Sequence, residues 1–172
     1  VTGATAHQYG ATGYDTFFYQ NSSLIDNVTI GLDYIPSDGA GNIGSSSAAT
    51  IKYTGIEGLT LAYGIADEVG TTTALSGEQV AMKVSYAYGP VTVTATESEF
   101  DVQTAASDQD VSSVAISYTI SDEMSVTYGT ESFSTTSATD REYSVLKGSY
   151  TSGGMTVSAQ MKEAENVAHG TA

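Results

Sequence analysis

The chain has 172 residues, with five Lys and Arg against 20 Asp and Glu for a formal charge of −15, and it contains neither cysteine nor tryptophan. The missing cysteine removes disulfides and thiolate metal sites, and the acidity disfavours nucleic acid as a partner. No apolar run approaches the roughly 20 residues of a membrane helix, which excludes a helical membrane protein and leaves a barrel open, because barrel strands are apolar only at every second position.

Eighteen glycines and 12 tyrosines with only two prolines point to many strands joined by tight turns. Residues 1–13 (VTGATAHQYGATG) have no period and read as the tail of a loop. A first strand is expected over Tyr14–Gln20, a turn over Asn21–Asn27, and a second strand with Val28, Ile30, Leu32 and Tyr34 on one face. A polar loop over Pro36–Ala49 leads to Thr50–Thr54, a short turn at Gly55–Gly58, and a strand with Leu59, Leu61, Tyr63 and Ile65 on its apolar face. After a loop over Ala66–Gln79, the hairpin VAMKVSYAYGPVTVTATE (Val80–Glu97) keeps strict period 2 on both sides of Gly89-Pro90. An acidic loop over Ser98–Val111 follows, then Val114, Ile116, Tyr118 and Ile120, a turn at Ser121–Glu123, and Met124, Val126 and Tyr128. A fourth loop over about Ser132–Glu142 precedes a last hairpin. In it Leu146, Gly148 and Tyr150 face Met155, Val157, Ala159 and Met161 across Ser152–Gly154, and a polar segment covers Glu163–Ala172.

The short turns fall near residues 24, 57, 90, 122 and 153, a repeat of about 32 residues of strand, short turn, strand and long loop. Long loops at one end and short turns at the other match a transmembrane barrel. The bland alternative is a soluble all-β meander or sandwich whose apolar face packs on a second sheet. Ten consecutive up-and-down strands would need such a second layer, and the chain has no amphipathic helix to provide one; lipid can take that place. Tyr53, Tyr86, Tyr88, Tyr118 and Tyr150 recur beside the short turns, as an aromatic girdle at one membrane interface does. The fold class expected is therefore an all-β, antiparallel up-and-down barrel.

The segment FFYQNSSLIDNVTIGLDYIP (Phe17–Pro36) resembles the hairpin that follows the inward-folded third loop of Gram-negative general diffusion porins, nearest to their alphaproteobacterial branch. The later hairpins VSYAYGPVTVTATE, ISYTISDEMSVTYGTE and LKGSYTSGGMTVSAQMKEAE are similar to later porin hairpins, so the resemblance covers nearly the whole chain through loose patterns. The sequence departs from the family pattern in lacking a typical porin N-terminus, a clear acidic third-loop motif in residues 1–13 and a closing strand with a terminal aromatic. The resemblance implies a sixteen-stranded, usually trimeric barrel in the bacterial outer membrane that passes small hydrophilic solutes. With residues 1–13 as the end of the third loop, the strands here would correspond to the sixth to fifteenth, and 1–172 would be part of a longer barrel chain. Physics gives the same expectation, because an open sheet in lipid leaves two unsatisfied backbone edges.

Under that reading, parity places Lys52, Lys83, Lys147 and Lys162 in the lumen, since a lysine facing mid-membrane lipid costs about 2–4 kcal/mol. Thr92, Thr94, Thr127, Thr156, Ser158 and Gln160 would share that wall. The lysines either tune ion preference or merely solvate the lumen. On the opposite face the apolar series run on into Asp67, Glu97, Glu99, Asp101, Glu163 and Glu165. This outer acidic rim marks the edge of the hydrocarbon. It either consists of solvated loop bases or shares Ca or Mg with lipopolysaccharide phosphates; no other cofactor is expected.

No catalytic constellation is present. His7 and His169 lie in loop-like segments near the ends, with no serine and acid arranged around either, so an enzyme is not expected. Two functional classes remain: a passive channel, homotrimeric in the outer membrane, and a non-channel acidic β-rich surface protein or adhesin that uses its strands only as scaffold.

Overall fold

A computed structural model describes residues 17–36, 44–69, 76–103, 108–136 and 138–166. They form ten strands: β1 (Phe17–Ile25), β2 (Val28–Ile35), β3 (Ser46–Tyr53), β4 (Leu59–Glu68), β5 (Gly77–Tyr88), β6 (Val91–Val102), β7 (Gln109–Ser121), β8 (Met124–Thr135), β9 (Ala138–Ser152) and β10 (Met155–Glu165). All are antiparallel in one sheet, in the order β1 to β10 with no crossover. Among the described residues β1 pairs only with β2 and β10 only with β9.

The strands run further than their apolar residues. β1 continues through Asn21–Ile25, where a turn was expected, and the reversal is confined to Asp26-Asn27, with Asn27 at φ 62°. Asn21 Oδ1 accepts from the Ser23 and Leu24 amides (2.7 and 3.1 Å), and the β1–β2 register shifts at this point, so an irregular strand carries what looked like turn composition. The expected loops shrink in the same way. β6 runs to Val102 and β7 starts at Gln109; β4 runs to Glu68 and β5 starts at Gly77; β3 starts at Ser46. Two expectations fail outright. Most of Ser132–Glu142 is strand, leaving only residues 136–137 between β8 and β9, and Glu163–Glu165 belongs to β10. The physical reason is common to all: the hydrogen-bond ladder needs backbone, not apolar side chains, so it persists after the outward residues turn acidic. The expected start of the first strand at Tyr14, and residues 1–13, lie outside the described residues.

Short turns use the residues their geometry requires. Gly153 and Gly154 both have positive φ (58° and 82°), as a two-residue I′ hairpin demands, and Gly89 (φ 55°) precedes Pro90 in the order of a II′ turn. Each of the first four short turns is also bonded to the next hairpin. The carbonyls of Asn27, Gly58, Pro90 and Glu123 accept from the amides of Thr54, Ala87, Thr119 and Thr151 at 2.7–2.9 Å. The repeat read from the sequence is thus a repeat of hydrogen bonding along the short-turn rim, which satisfies turn backbone that would otherwise need water.

The two faces are inverted relative to a water-soluble sheet. In β5, Ala81 is 5% exposed while its apolar neighbours Met82 and Val84 are 46% and 47% exposed. The same alternation recurs in β7, where Val114, Ile116 and Tyr118 are exposed and Ser113 is buried. No large side chain among the described residues is fully buried, and half of the buried apolar residues are alanines (Ala48, Ala66, Ala81), with Ile35, Phe100 and Val102 near the long-loop end. A belt of exposed Val, Ile, Leu, Met and Tyr across ten strands far exceeds the few hundred Å² that a soluble monomer leaves open.

Candidate functional site

Cross-strand pairing fixes which side chains share the face opposite the apolar belt. Thr29, Lys52, Ala62, Lys83, Thr96, Ser113, Glu131 and Tyr143 form one continuous row from β2 to β9. One step toward the short turns, Thr94, Ala115, Gly129, Val145 and Lys162 form the next; beyond it come Thr92, Ser117, Thr127, Lys147 and Gln160. Ser158 opposite Ser149 and Thr156 opposite Thr151 continue the face toward the turn. All ten residues assigned to this wall from the sequence therefore share one face.

That face is concave. A cavity of about 820 Å³ is lined together by Lys83 of β5 and by Lys147, Gln160 and Lys162 of β9 and β10, with Thr94 and Thr127 between them. Side chains five strands apart meet one cavity only if the sheet curls toward them. Lys52, Thr92, Thr156 and Ser158 lie on the same face but outside this trough. Glu131 and Tyr143 line it as well, with the parity that selected the lysines, although nothing in the sequence alone singled them out; Ser144 and Glu163, of opposite parity, border it at the β9–β10 edge.

Hydroxyl pairs knit the concave face across the strands. Ser85 bonds Thr94 (2.9 Å), Ser117 bonds Thr127 (2.8 Å), Ser125 bonds Ser149 (2.8 Å) and Thr151 bonds Thr156 (2.9 Å); Thr96 bonds Ser113. Such pairs hold a polar face in register without large side chains, which leaves room above the sheet. Arg141, also on this face opposite Phe133, lies over the Phe133 ring at 5.1 Å. Its assignment completes a pattern: the chain's five basic residues all stand on the concave side.

The convex face carries the opposite sign. Asp67, Glu97, Glu99, Asp101, Glu163 and Glu165 are outward and exposed, as their phase requires, and Glu78, Asp110 and Glu142 join them. Several stand directly opposite another acid: Glu78 pairs with both Asp67 and Asp101, Glu99 with Asp110, and Glu142 with Glu165. Among the described residues no three acidic or histidine side chains are grouped so as to hold a metal ion. His7 and His169 lie outside the described residues.

The edge of the apolar belt crosses the strands obliquely. In the outward row Ile30, Ile51, Tyr63, Met82, Glu97, Ser112, Ser132, Glu142 and Glu165, the first four are apolar or aromatic and the last five polar. The tyrosines follow the same slant: Tyr53, Tyr86, Tyr88, Tyr118 and Tyr150 step toward the short turns from β3 to β9, all on the convex face. A level plane that cuts the hydrogen-bonded rows at a slant is what strands tilted by about 35–45° produce. A second aromatic level, missed in the sequence, stands near the opposite edge of the belt: Phe17 pairs with Tyr34 on β1 and β2, and Tyr128 is the last outward apolar residue of β8 before Thr130. Its signal is an aromatic at the end of an apolar alternation, just before the first outward polar residue.

A tilted, up-and-down antiparallel sheet with an exposed apolar convex face, a polar concave face and aromatic levels at both edges is the fold of an outer-membrane, porin-like β-barrel. Comparison with solved structures agrees. The chain is similar to a porin refined at 1.8 Å resolution (TM-score 0.68, 15% identity, covering 87% of this chain and 55% of that one). It is also similar to a loop L8 deletion mutant of OmpT, an outer membrane protein of Vibrio cholerae (TM-score 0.64, 20% identity, covering 95% of this chain and 63% of that one). The chain thus spans a little over half to under two thirds of the length of these bacterial outer-membrane barrels. No protein-family model and no curated protein matches it.

Proposed function

We propose that the chain builds the wall of a water-filled channel in the bacterial outer membrane, through which small hydrophilic solutes and ions diffuse passively, and that it carries no catalytic chemistry. The observation that supports this reading is the sidedness of the sheet: hydroxyls, lysines and small residues surround a concave trough, while the apolar belt faces out. A water-filled interior needs such a lining, and a non-channel surface protein has no use for it. The channel requires a closed wall, because each backbone group left unpaired along β1 and β10 in hydrocarbon costs several kcal/mol. Further strands of the polypeptide are the proposed closure, and the intact mass of the protein isolated from membranes tests it: 17.8 kDa for a folded, closed barrel would refute it. A homotrimer is the proposed assembly, supported by the likeness to porin and checked by crosslinking in the native membrane. Any divalent cation at the acidic rim would be shared with lipopolysaccharide phosphate, and unchanged thermal stability of the membrane-embedded form on chelation would dispose of that role.

The deciding experiment is planar-bilayer recording of the purified protein. Discrete ohmic steps are expected; a folded, membrane-inserted protein that gives none is the acidic surface protein instead.

A further inference from the structure

The formal charge of −15 suggests a channel that favours cations, but charge is sorted by face in this sheet. All five basic residues stand on the concave side, whereas Asp67, Glu78, Glu97, Glu99, Asp101, Asp110, Glu142 and Glu165 stand on the convex side and outside the trough; Glu163, convex by register, also borders the trough at the β10 edge. Asp33 and Glu131 stand on the concave face by register, and of these two only Glu131 lines the trough. We propose that Lys83, Lys147 and Lys162 form an anion-binding track in the wall, so that the channel passes small anions, including phosphate- and carboxylate-bearing solutes, in preference to cations. This inference rests on the channel reading.

Three features carry it. The three ammonium groups serve one trough, where they outnumber the two carboxylates, Glu131 and Glu163, that also line it. Lys147 lies opposite Gln160 and Lys162 opposite Val145, which makes the two lysines diagonal neighbours, close enough for one oxyanion to draw on both. The Gln160 amide, one hydroxyl of the Ser117–Thr127 pair, and Thr94 and Thr96 when they accept from Ser85 and Ser113, lie around them and can donate hydrogen bonds to an anion that sheds part of its water. Lys is a point charge with three rotatable donors, suited to a passing anion rather than to a tight, oriented one. A binding that is favourable yet loose is what conduction requires. Lys52, in the same row as Lys83 with Ala62 between them, extends the positive band one hairpin further around the wall.

The test is the zero-current potential of the full-length protein in a planar bilayer under a KCl gradient, with inorganic phosphate as a competing probe. A chloride-to-potassium permeability ratio above one is expected, and added phosphate should reduce the chloride current. The triple variant Lys83→Gln, Lys147→Gln, Lys162→Gln should lower the ratio and abolish the phosphate effect, while Glu131→Gln should raise it. These opposite shifts keep the test independent of any general disturbance of folding. Steps with a cation preference in the unaltered protein, or a ratio that the triple variant leaves unchanged, overturn the inference alone. An inserted protein without steps overturns the channel reading and this inference with it.

Discussion

At the scale of the residue, parity decides almost everything, because one step along a strand exchanges lipid for water. Ala115 and Ile116 are adjacent in β7, yet Ala115 lines the trough and Ile116 is exposed in the apolar belt. Ile116→Lys is therefore expected to destabilise the inserted protein by about 2–4 kcal/mol, and Ala115→Lys by less than about 1 kcal/mol, as read by urea unfolding from lipid vesicles. Equal costs at the two positions would contradict the assignment of faces. Glycine positions divide in a comparable way. At Gly58 (φ 75°) a Cβ would fall against the Ala87 carbonyl oxygen, whereas at Gly89 (φ 55°) it meets nothing within 4 Å. Both alanine variants carry the ~1–2 kcal/mol of a left-handed non-glycine residue, and Gly58→Ala should cost more in the same unfolding measurement because it also displaces the backbone of the next hairpin.

At the scale of the element, the hairpin was the unit most legible in the sequence. Val80–Glu97 fixed its own register through Gly89-Pro90 and strict alternation, and β5 and β6 pair residue for residue from Tyr88–Val91 to Gly77–Val102. What the sequence did not reveal was where strands stop. Composition reports where lipid ends, whereas pairing continues above it, so Glu97, Glu99 and Asp101 looked like the start of a loop and are strand. Ser132–Glu142 is the extreme case, with hydroxyl and charged residues everywhere but at Phe133 and Ala138 and a connection of only two residues. The acidic ends of these strands also hold unfavourable contacts. Glu78 faces Asp67 on one side and Asp101 on the other, and like charges directly opposite one another are destabilising. Glu78→Gln is expected to stabilise the protein by a few tenths of a kcal/mol at low salt, with the gain fading as ionic strength rises toward 1 M. A salt-independent gain would locate the effect elsewhere.

At the scale of the whole molecule, inversion marks a barrel in lipid: what a soluble protein buries, this one displays. The sequence carried that conclusion through the recurrence of alternation, loop asymmetry and tyrosines, though no single hairpin could. The sorting of charge was only half legible. The four lysines were placed inward by the cost of exposing them to hydrocarbon, but Arg141 lay in an expected loop and Glu131 in the acidic background, and both needed the pairing register to acquire a face. The absence of native cysteine makes the inversion directly measurable. A single cysteine at Thr127 is expected to react with a membrane-impermeant thiol reagent in intact vesicles, and one at Val93, on the convex face, to stay unreactive until detergent is added. Reaction at both would place water on both faces and end the barrel reading.

The neighbour-only strand order has a kinetic consequence. Among the described residues each strand pairs only with its neighbours in sequence, so no ladder among them waits for a distant segment to arrive. The gaps to be closed are the connections themselves, and closure entropy rises only slowly with loop length. Such a sheet can grow like a zipper from one established hairpin, each addition using the edge left by the last. Slow, non-local pairing is then confined to a single event, the meeting of the first and final strands of the complete wall. The hairpin repeat of about 32 residues is accordingly also the smallest increment by which this wall can lengthen or shorten without reversing the direction in which every later strand runs.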